Sequence, residues 1–494
     1  MMSDVSRTMS FIVYNTLTRS KEPFVPIHPG EVRLYACGPT VYSFAHVGNM
    51  RTNVFVDVLR RVLEYNRFVV RAIMNITDVG HLTGDGDEGE DKMLGAMRRE
   101  GKTAYEIAEF YTQAFLEDLK RLNVKSADVY PRATQHLPEQ IALVKKLEEN
   151  GLTYRTSDGL YFDTAKLPSY GRLSGQKAEE KMAGARVDMG EKKHPTDFAL
   201  WKFSYLHGRS FDLTQDDASK QRQMEWDSPW GKGFPGWHAE CSAMSKKYLE
   251  VPFDIHAGAI DLIPVHHENE IAQTMGADGV PEANVWMHGA FLTVDGQKMA
   301  KSLGNVYRIQ DLIERGYDPL AYRYFLLQGH YRTTVNFTFE ALDAAAKALE
   351  HLRGFVASAG EPAAEGCAED EQRFLAAIND DLNLPQALAV AWGMVGDEKK
   401  SKGARVASLM KFDDVFGLRL EEARQRGPER IPEEILDWAR QREQLRLKKA
   451  FQEADVLRAR IEAAGFLVED TPSGPRVQKM DRQSPCEKER VVLE

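Results

Sequence analysis

Short apolar runs alternate with stretches of helical spacing through the first third of the chain. Residues 32–37 (VRLYAC) are an apolar run that ends at the Gly38-Pro39 turn, which predicts a strand. Residues 52–64 place Val54, Val58, Leu59 and Val62 on one helical face, and 68–74 (FVVRAIM) is the next strand-like run. Strand, turn, helix and strand in that order predict an α/β unit with a parallel sheet, which binds ligands beyond the C-terminal ends of its strands. Residues 80–92 (GHLTGDGDEGEDK) are glycine-rich and acidic and predict a loop, while 105–122 and 137–149 predict helices. Between 154 and 235 short strand candidates and turns mix, as expected of material inserted between two halves of the sheet domain; within it 207–223 reads as an exposed polar loop.

Strand character returns at 251–255 and 284–292 and completes the sheet. Residues 297–305 form a basic loop. Helical patterns follow at 340–355, 368–379, 385–395 and 403–416. The proline-bearing 427–433 separates them from one long charged helix, 434–464, and a loose polar end over 470–494.

At roughly 150 residues per domain, 494 residues suggest about three domains. Apolar residues at 43% and charged residues at 28% suit a globular chain with a sizeable core. No run reaches the length of a membrane span, and residues 1–17 lack the basic and apolar regions of a secretory leader. Four cysteines in so long a chain do not make a disulfide scaffold, so a reducing, cytoplasmic setting is expected. The net charge of -10 argues against a protein that coats nucleic acid but leaves local RNA contacts open.

Three constellations carry chemistry. His46, Gly48 and Asn49 stand at the mouth of the first helix, where unpaired N–H groups favour phosphate. Lys298 and Lys301, in KMAKS, can meet negative charge that builds up on a polyphosphate. Cys37, Cys241, His266 and Glu270 would fill a tetrahedral zinc shell, the last two sharing a helix face. Each has a plainer reading by itself: an ordinary turn before a helix, a solvated basic loop, and buried cysteines beside a charged helix. Cys367 and Cys486 lie in polar regions and are not expected to bind metal.

Together, 35–49 (YACGPTVYSFAHVGN), 74–80 (MNITDVG), 195–203 (PTDFALWKF), 226–244, 266–270 (HHENE) and 298–302 (KMAKS) resemble the cysteinyl-tRNA synthetases of class I, over about 12–475. The resemblance implies a Rossmann-like parallel-sheet catalytic domain with an insertion, followed by an α-helical C-terminal region. Its parts fall at 1–130 and 225–297 for the catalytic halves, 131–224 for the insertion and 298–345 for the lysine loop and stem contact. A helical bundle at 346–425, an anticodon-binding region at 426–475 and a flexible tail at 476–494 follow. It implies that His46, Asn49, Lys298 and Lys301 are catalytic, and that Pro39, Thr40, Gly48, Asp261 and Ser302 join them in binding ATP. Cys37, Thr77, Trp237 and His238 would surround the cysteine, and Cys37, Cys241, His266 and Glu270 would hold one zinc per chain. Mg²⁺ would accompany ATP, and the expected partners are L-cysteine, ATP and tRNA(Cys), with a monomer favoured and no membrane.

The implied reaction is attack of the cysteine carboxylate on the α-phosphorus of ATP, then transfer to the terminal ribose of tRNA with release of AMP. Zinc would favour the cysteine thiolate over the near-isosteric serine, which a plain apolar pocket separates poorly. The chain departs from the family pattern at Ala300, where serine is usual, at Ala259-Ile260 and Pro264-Val265 before the histidines, and in the length of 207–223. Pro264 is expected to tilt His266. Two competing readings are a ligase that passes cysteine to a small amine and a zinc-bearing RNA-binding module without catalysis. The first lacks a use for the helical residues beyond Phe337, and the second for His46, Asn49, Lys298 and Lys301 together.

Overall fold

The computed structural model describes residues 10–84, 88–175, 191–206, 209–210, 223–359, 361–427, 432–471 and 474–479. Nearly all of the 207–223 segment, and Cys486 with the rest of 480–494, lie outside the described residues.

Four parallel strands form the central sheet, in the order Ala283–Gly289, Phe253–Ala259, Glu31–Ala36 and Val69–Met74. Five of the six residues of Glu31–Ala36 are buried, because strands covered on both faces read as continuous apolar runs. Residues beyond Val69–Met74 extend the sheet through a parallel bridge from Ile73 to Val129. The Val47–Tyr65 helix crosses one face and buries Val54, Val58, Leu59 and Val62, the positions that its spacing marks.

The insertion is a second, antiparallel sheet ordered Gly233–Pro235, Phe198–Phe203, Gly159–Phe162 and Thr153–Arg155. It has a core of its own that includes Val144, Phe162, Phe198 and Trp201. The acidic segment expected to be a loop instead pairs Leu82–Gly84 with Glu88–Asp91, and Asp91 then caps the Lys92–Glu100 helix. Backbone pairing there overrides a composition that favours turns.

Beyond the sheet, Phe339–Ala357, Ala368–Asn379, Leu384–Val395, Lys402–Phe416 and Leu420–Arg426 form a helical bundle. Phe374 and Phe412 stack at 4.0 Å within it. Arg323, in the Pro319–Leu327 helix, is fully buried where bundle and sheet domain meet. It donates to the Phe416 carbonyl at 2.6 Å, the Leu122 carbonyl at 3.0 Å and Asp57 Oδ2 at 2.5 Å. Burial pushes the Asp57 carboxyl up, but the guanidiniums of Arg323 and Arg61 bring it below the usual carboxylate range. Removing one partner of such a pair costs about 3–5 kcal/mol, because the other charge stays buried.

Two expectations fail at the C-terminal end. The single helix over 434–464 is two, Glu433–Leu447 and Phe451–Ala463, broken where Lys449 takes a φ of 60°. The break folds one helix back on the other, so that Ile435, Ala439, Ile461 and Val468 share a small core. The stretch expected to be loose from 470 instead supplies Gly474–Lys479, which pairs antiparallel with Phe466–Thr471. Among the described residues, no helix is long and apolar enough to cross a membrane.

Candidate functional site

The candidate residues gather at the C-terminal ends of the parallel strands. Cys37 follows Glu31–Ala36 directly, and its N–H is anchored on the Ala257 carbonyl at 3.2 Å. Cys241 sits in the second turn of the Trp237–Leu249 helix. His266 lies in a single π-helical turn, Ile263–His267, just after Pro264, and Glu270 lies in the Glu268–Asp278 helix that follows.

One ligand atom from each of these four lies within 4.8 Å of all the others. Bonds of about 2.3 Å to sulfur and about 2.0 Å to nitrogen or oxygen at tetrahedral angles place two sulfurs about 3.8 Å apart, sulfur and nitrogen about 3.5 Å, and nitrogen and oxygen about 3.3 Å. The structure has Cys37 Sγ and Cys241 Sγ 4.0 Å apart, His266 Nε2 and Cys241 Sγ 3.4 Å, and His266 Nε2 and Glu270 Oε1 3.2 Å. Cys37 Sγ and Glu270 Oε1, 3.9 Å apart, stand a few tenths of an ångström wider than that geometry, and the four residues could hold one ion. Burial and the bond to Cys241 push the Cys37 thiol up. Burial also acts against the Cys241 thiolate, but the Cys37 bond and the nearby His266 hold its pKa well below that of a free thiol. The Glu270 carboxyl is pushed up by burial and by Cys241, and its Oε2 is buried with no hydrogen-bond partner among the described residues. A divalent cation among these groups reverses all of these penalties together.

A second, overlapping set keeps Cys37 and Glu270 and adds His256 and His267, which the sequence reading did not name. His256 Nε2 and His267 Nε2 lie 3.4 and 3.2 Å from Cys37 Sγ, and Cys37, His256, His267 and Glu270 also gather within 4.8 Å. That set offers one sulfur instead of two, which suits zinc less well. Burial holds both imidazoles neutral at ordinary pH. His267 Nδ1 meets His288 Nε2 at 2.7 Å, and His288 Nδ1 meets the Thr16 hydroxyl at 2.8 Å. HHENE shows His267 beside His266, but nothing in the pattern of a buried strand distinguishes His256.

Trp237 packs its ring 4.3 Å from that of His266, and His238 Nδ1 lies 2.9 Å from His266 Nδ1. Thr77 is buried nearby and accepts from Asn75 Nδ2 at 3.0 Å. His81 and Glu240, not anticipated from the sequence, join at 2.5 Å beside Trp237. The structure thus brings Trp237 and His238 against His266, and holds Thr77 on Asn75, whose side chain also accepts from the Gly38 N–H next to Cys37.

His46 and Asn49 form a reciprocal cap. The Asn49 N–H donates to His46 Nδ1 at 3.2 Å, and the His46 N–H donates to Asn49 Oδ1 at 3.1 Å. Pro39 and Thr40 lie beside Thr77: the Thr77 N–H donates to the Pro39 carbonyl at 3.0 Å. A Cβ on Gly48 would stand 2.2 Å from Met299 Cε, so the loop that carries Lys298 lies directly on this helix start. Lys298 is exposed in the short Gln297–Lys298 strand, and Ser302 is exposed in the Lys301–Leu303 turn. Asn305 braces the loop, accepting from the Ala300 N–H at 2.8 Å and donating to the Lys298 carbonyl at 3.3 Å. Neither bond uses a side chain at 300. Asp261 is exposed on the Ile260–Leu262 turn, at the same end of the sheet.

Comparison with known proteins places the chain in a family. The family described as tRNA synthetases class I (C) catalytic domain matches residues 23–347. Cysteine--tRNA ligase 1 of Burkholderia lata is 50% identical over 471 residues, covering 95% of this chain and 97% of that protein. A cysteine--tRNA ligase of Thermus thermophilus is 41% identical, covering 95% of this chain and 99% of that protein. The methionyl-tRNA synthetase of Mycobacterium tuberculosis, solved with methionyl-adenylate, shares the fold with a TM-score of 0.51 at 16% identity, over 80% of this chain and 91% of that one. A class I catalytic match across residues 23–347, with relatives this similar along nearly their whole length, means that the chain belongs to the cysteinyl-tRNA synthetase family of class I aminoacyl-tRNA synthetases.

Proposed function

We infer that this protein is a cysteine--tRNA ligase that activates L-cysteine with ATP, as its Mg²⁺ complex, and transfers it to the 3′-terminal ribose of tRNA(Cys). The observation that carries this reading is the contact of Met299 with Gly48, which joins the lysine loop to the His46–Asn49 helix start. The cysteine cluster lies at the same end of the parallel sheet.

The start of Val47–Tyr65 turns the positive end of the helix dipole toward the phosphates, the Val47 and Asn49 N–H groups being already bonded to the Tyr307 carbonyl and His46 Nδ1, and Gly48 lets ATP approach the backbone closely. Lys298 and Lys301 neutralise charge as it passes to the leaving pyrophosphate, when their effect on rate is greatest. Thr77, Trp237 and His238 orient the cysteine, so that its carboxylate faces the α-phosphorus. No protein nucleophile is needed, since the substrate carboxylate attacks directly. In the second step the ribose hydroxyl attacks the activated carbonyl, and the departing phosphate accepts the proton.

Cys37, Cys241, His266 and Glu270 would hold zinc, which supplies a Lewis-acid partner for the substrate thiol and thereby distinguishes it from a serine hydroxyl. Residues 426–475 would reach the anticodon, placing Arg446, Lys448 and Lys449 toward RNA phosphates. The test is cysteine-dependent exchange of pyrophosphate into ATP by the purified protein, with serine as competitor. Exchange that needs cysteine and rejects serine supports the reading; equal exchange with both, or none, overturns it.

A further inference from the structure

Arg51 lies two residues beyond Asn49 and is almost completely buried. A buried guanidinium ordinarily has a carboxylate beside it. Among the described residues Arg51 has none, and its hydrogen bonds all go to main-chain carbonyls of one distant segment pair. It donates to the Phe291 and Thr333 carbonyls, with longer contacts of 3.5 Å to those of His330 and Tyr331. One turn further along the same helix, Phe55 stacks on Tyr331, with ring centres 4.5 Å apart and planes within 2°.

Those acceptors sit at the root of the lysine loop. Phe291 directly precedes Leu292–Val294, which pairs antiparallel with Gln297–Lys298. Thr333 leads into Val335–Phe337, which pairs parallel with Leu292–Val294. The first strand therefore carries the loop, and the other braces it. A planar guanidinium with donors in a fixed fork sets the angle between these strands and the helix, which a single ammonium cannot do. Burial lowers its pKa to about 10, so it still carries its charge at neutral pH.

We propose that Arg51 is a positioning residue for ATP activation: it fixes the root of the 298–302 loop to the helix that begins at His46, and so sets where the loop lysines stand. The proposal rests on the function inferred above. It differs from a general stabilising role because it acts only through the loop.

The experiment uses the full-length, zinc-loaded enzyme and the variants Arg51→Lys, Arg51→Ala and Lys301→Ala, with cysteine-dependent pyrophosphate exchange as the assay. A misplacement of about 1 Å costs on the order of 10²-fold in rate. Arg51→Ala should therefore lower kcat by roughly 10- to 100-fold, with KM for cysteine and zinc content within about twofold of the parent. Added millimolar guanidinium should restore part of that rate. Arg51→Lys, which keeps the charge, should fold and still lose at least about fivefold. In a Lys301→Ala background its effect should shrink, because one of the two lysines that the loop positions no longer contributes. Full additivity of Arg51→Lys and Lys301→Ala, or a parallel fall in zinc content and cysteine affinity, overturns the proposal. Absence of cysteine-dependent exchange in the unmodified enzyme would instead overturn the function on which it rests.

Discussion

Replacing Gly48 with alanine should separate stability from activity. The new Cβ would stand 2.2 Å from Met299 Cε and 3.1 Å from two atoms of the His46 ring. Carbon atoms pack comfortably at about 3.5–4.0 Å, so the methionine methyl must retreat by roughly 1.5 Å. The His46 contacts need only a few tenths of an ångström. Met299 is flexible and absorbs part of the movement, and the rest passes to the loop of Lys298. Displacing a catalytic group by about 1 Å costs on the order of 10²-fold, so a fall of about 10- to 100-fold in the rate of cysteine-dependent pyrophosphate exchange is expected. Stability should move the other way. Alanine is favoured over glycine within helices by roughly 0.5–1 kcal/mol, and by less in the first turn, so the urea midpoint should stay constant or rise slightly. In a Met299→Ala background that clash disappears, and Gly48→Ala should cost less than in the parent, leaving only what the methyl takes from the approach of ATP. A Gly48→Ala enzyme with the parent's rate, or an equal loss with and without Met299, refutes the contact as the link between the two motifs.

Three further outcomes are expected. Metal analysis should find about one zinc per chain in the parent and a large loss in Cys241→Ala, with ATP binding retained; full zinc content in that variant would exclude Cys241 as a ligand. Burial pushes the Asp118 carboxyl up to about 6, against the opposing charges of Arg121 and Arg308. The native state thus holds a proton that the unfolded chain releases nearer pH 4, so stability falls as pH rises from about 4 to about 6. Asp118→Asn should be about 2 kcal/mol more stable than the parent at pH 7, a gain that disappears near pH 4; urea denaturation showing the same gain at both pH values would refute the linkage. Truncation after Gly427 removes a unit whose core of Ile435, Ala439, Ile461 and Val468 is its own. Adenylate formation should survive while charging of tRNA and preference for the cysteine anticodon both fall, and unchanged charging would end the anticodon assignment.

Local pattern was enough to place the parallel strands, the Val47–Tyr65 helix and the bundle helices, because apolar spacing records which face of an element is covered. The same pattern could not show that 434–464 breaks. Lys448, Lys449 and Ala450 are tolerable in a helix, and only the packing of Ile461 against Ile435 selects the left-handed conformation at Lys449. The sequence also named Cys37, Cys241, His266 and Glu270, whose residue types suit a soft divalent ion. It could not show that Cys37 and Cys241 lie 4.0 Å apart, because they stand on a strand end and a helix 204 positions apart in the chain. His256 was invisible for a related reason: a histidine in a buried strand has no distinguishing neighbours until His267 and Cys37 are folded against it. Arg51 is the extreme case. Its acceptors are main-chain carbonyls, which every residue possesses, so no side-chain pattern could mark them, and only the tertiary fold decided that the helix start and the lysine loop share one guanidinium.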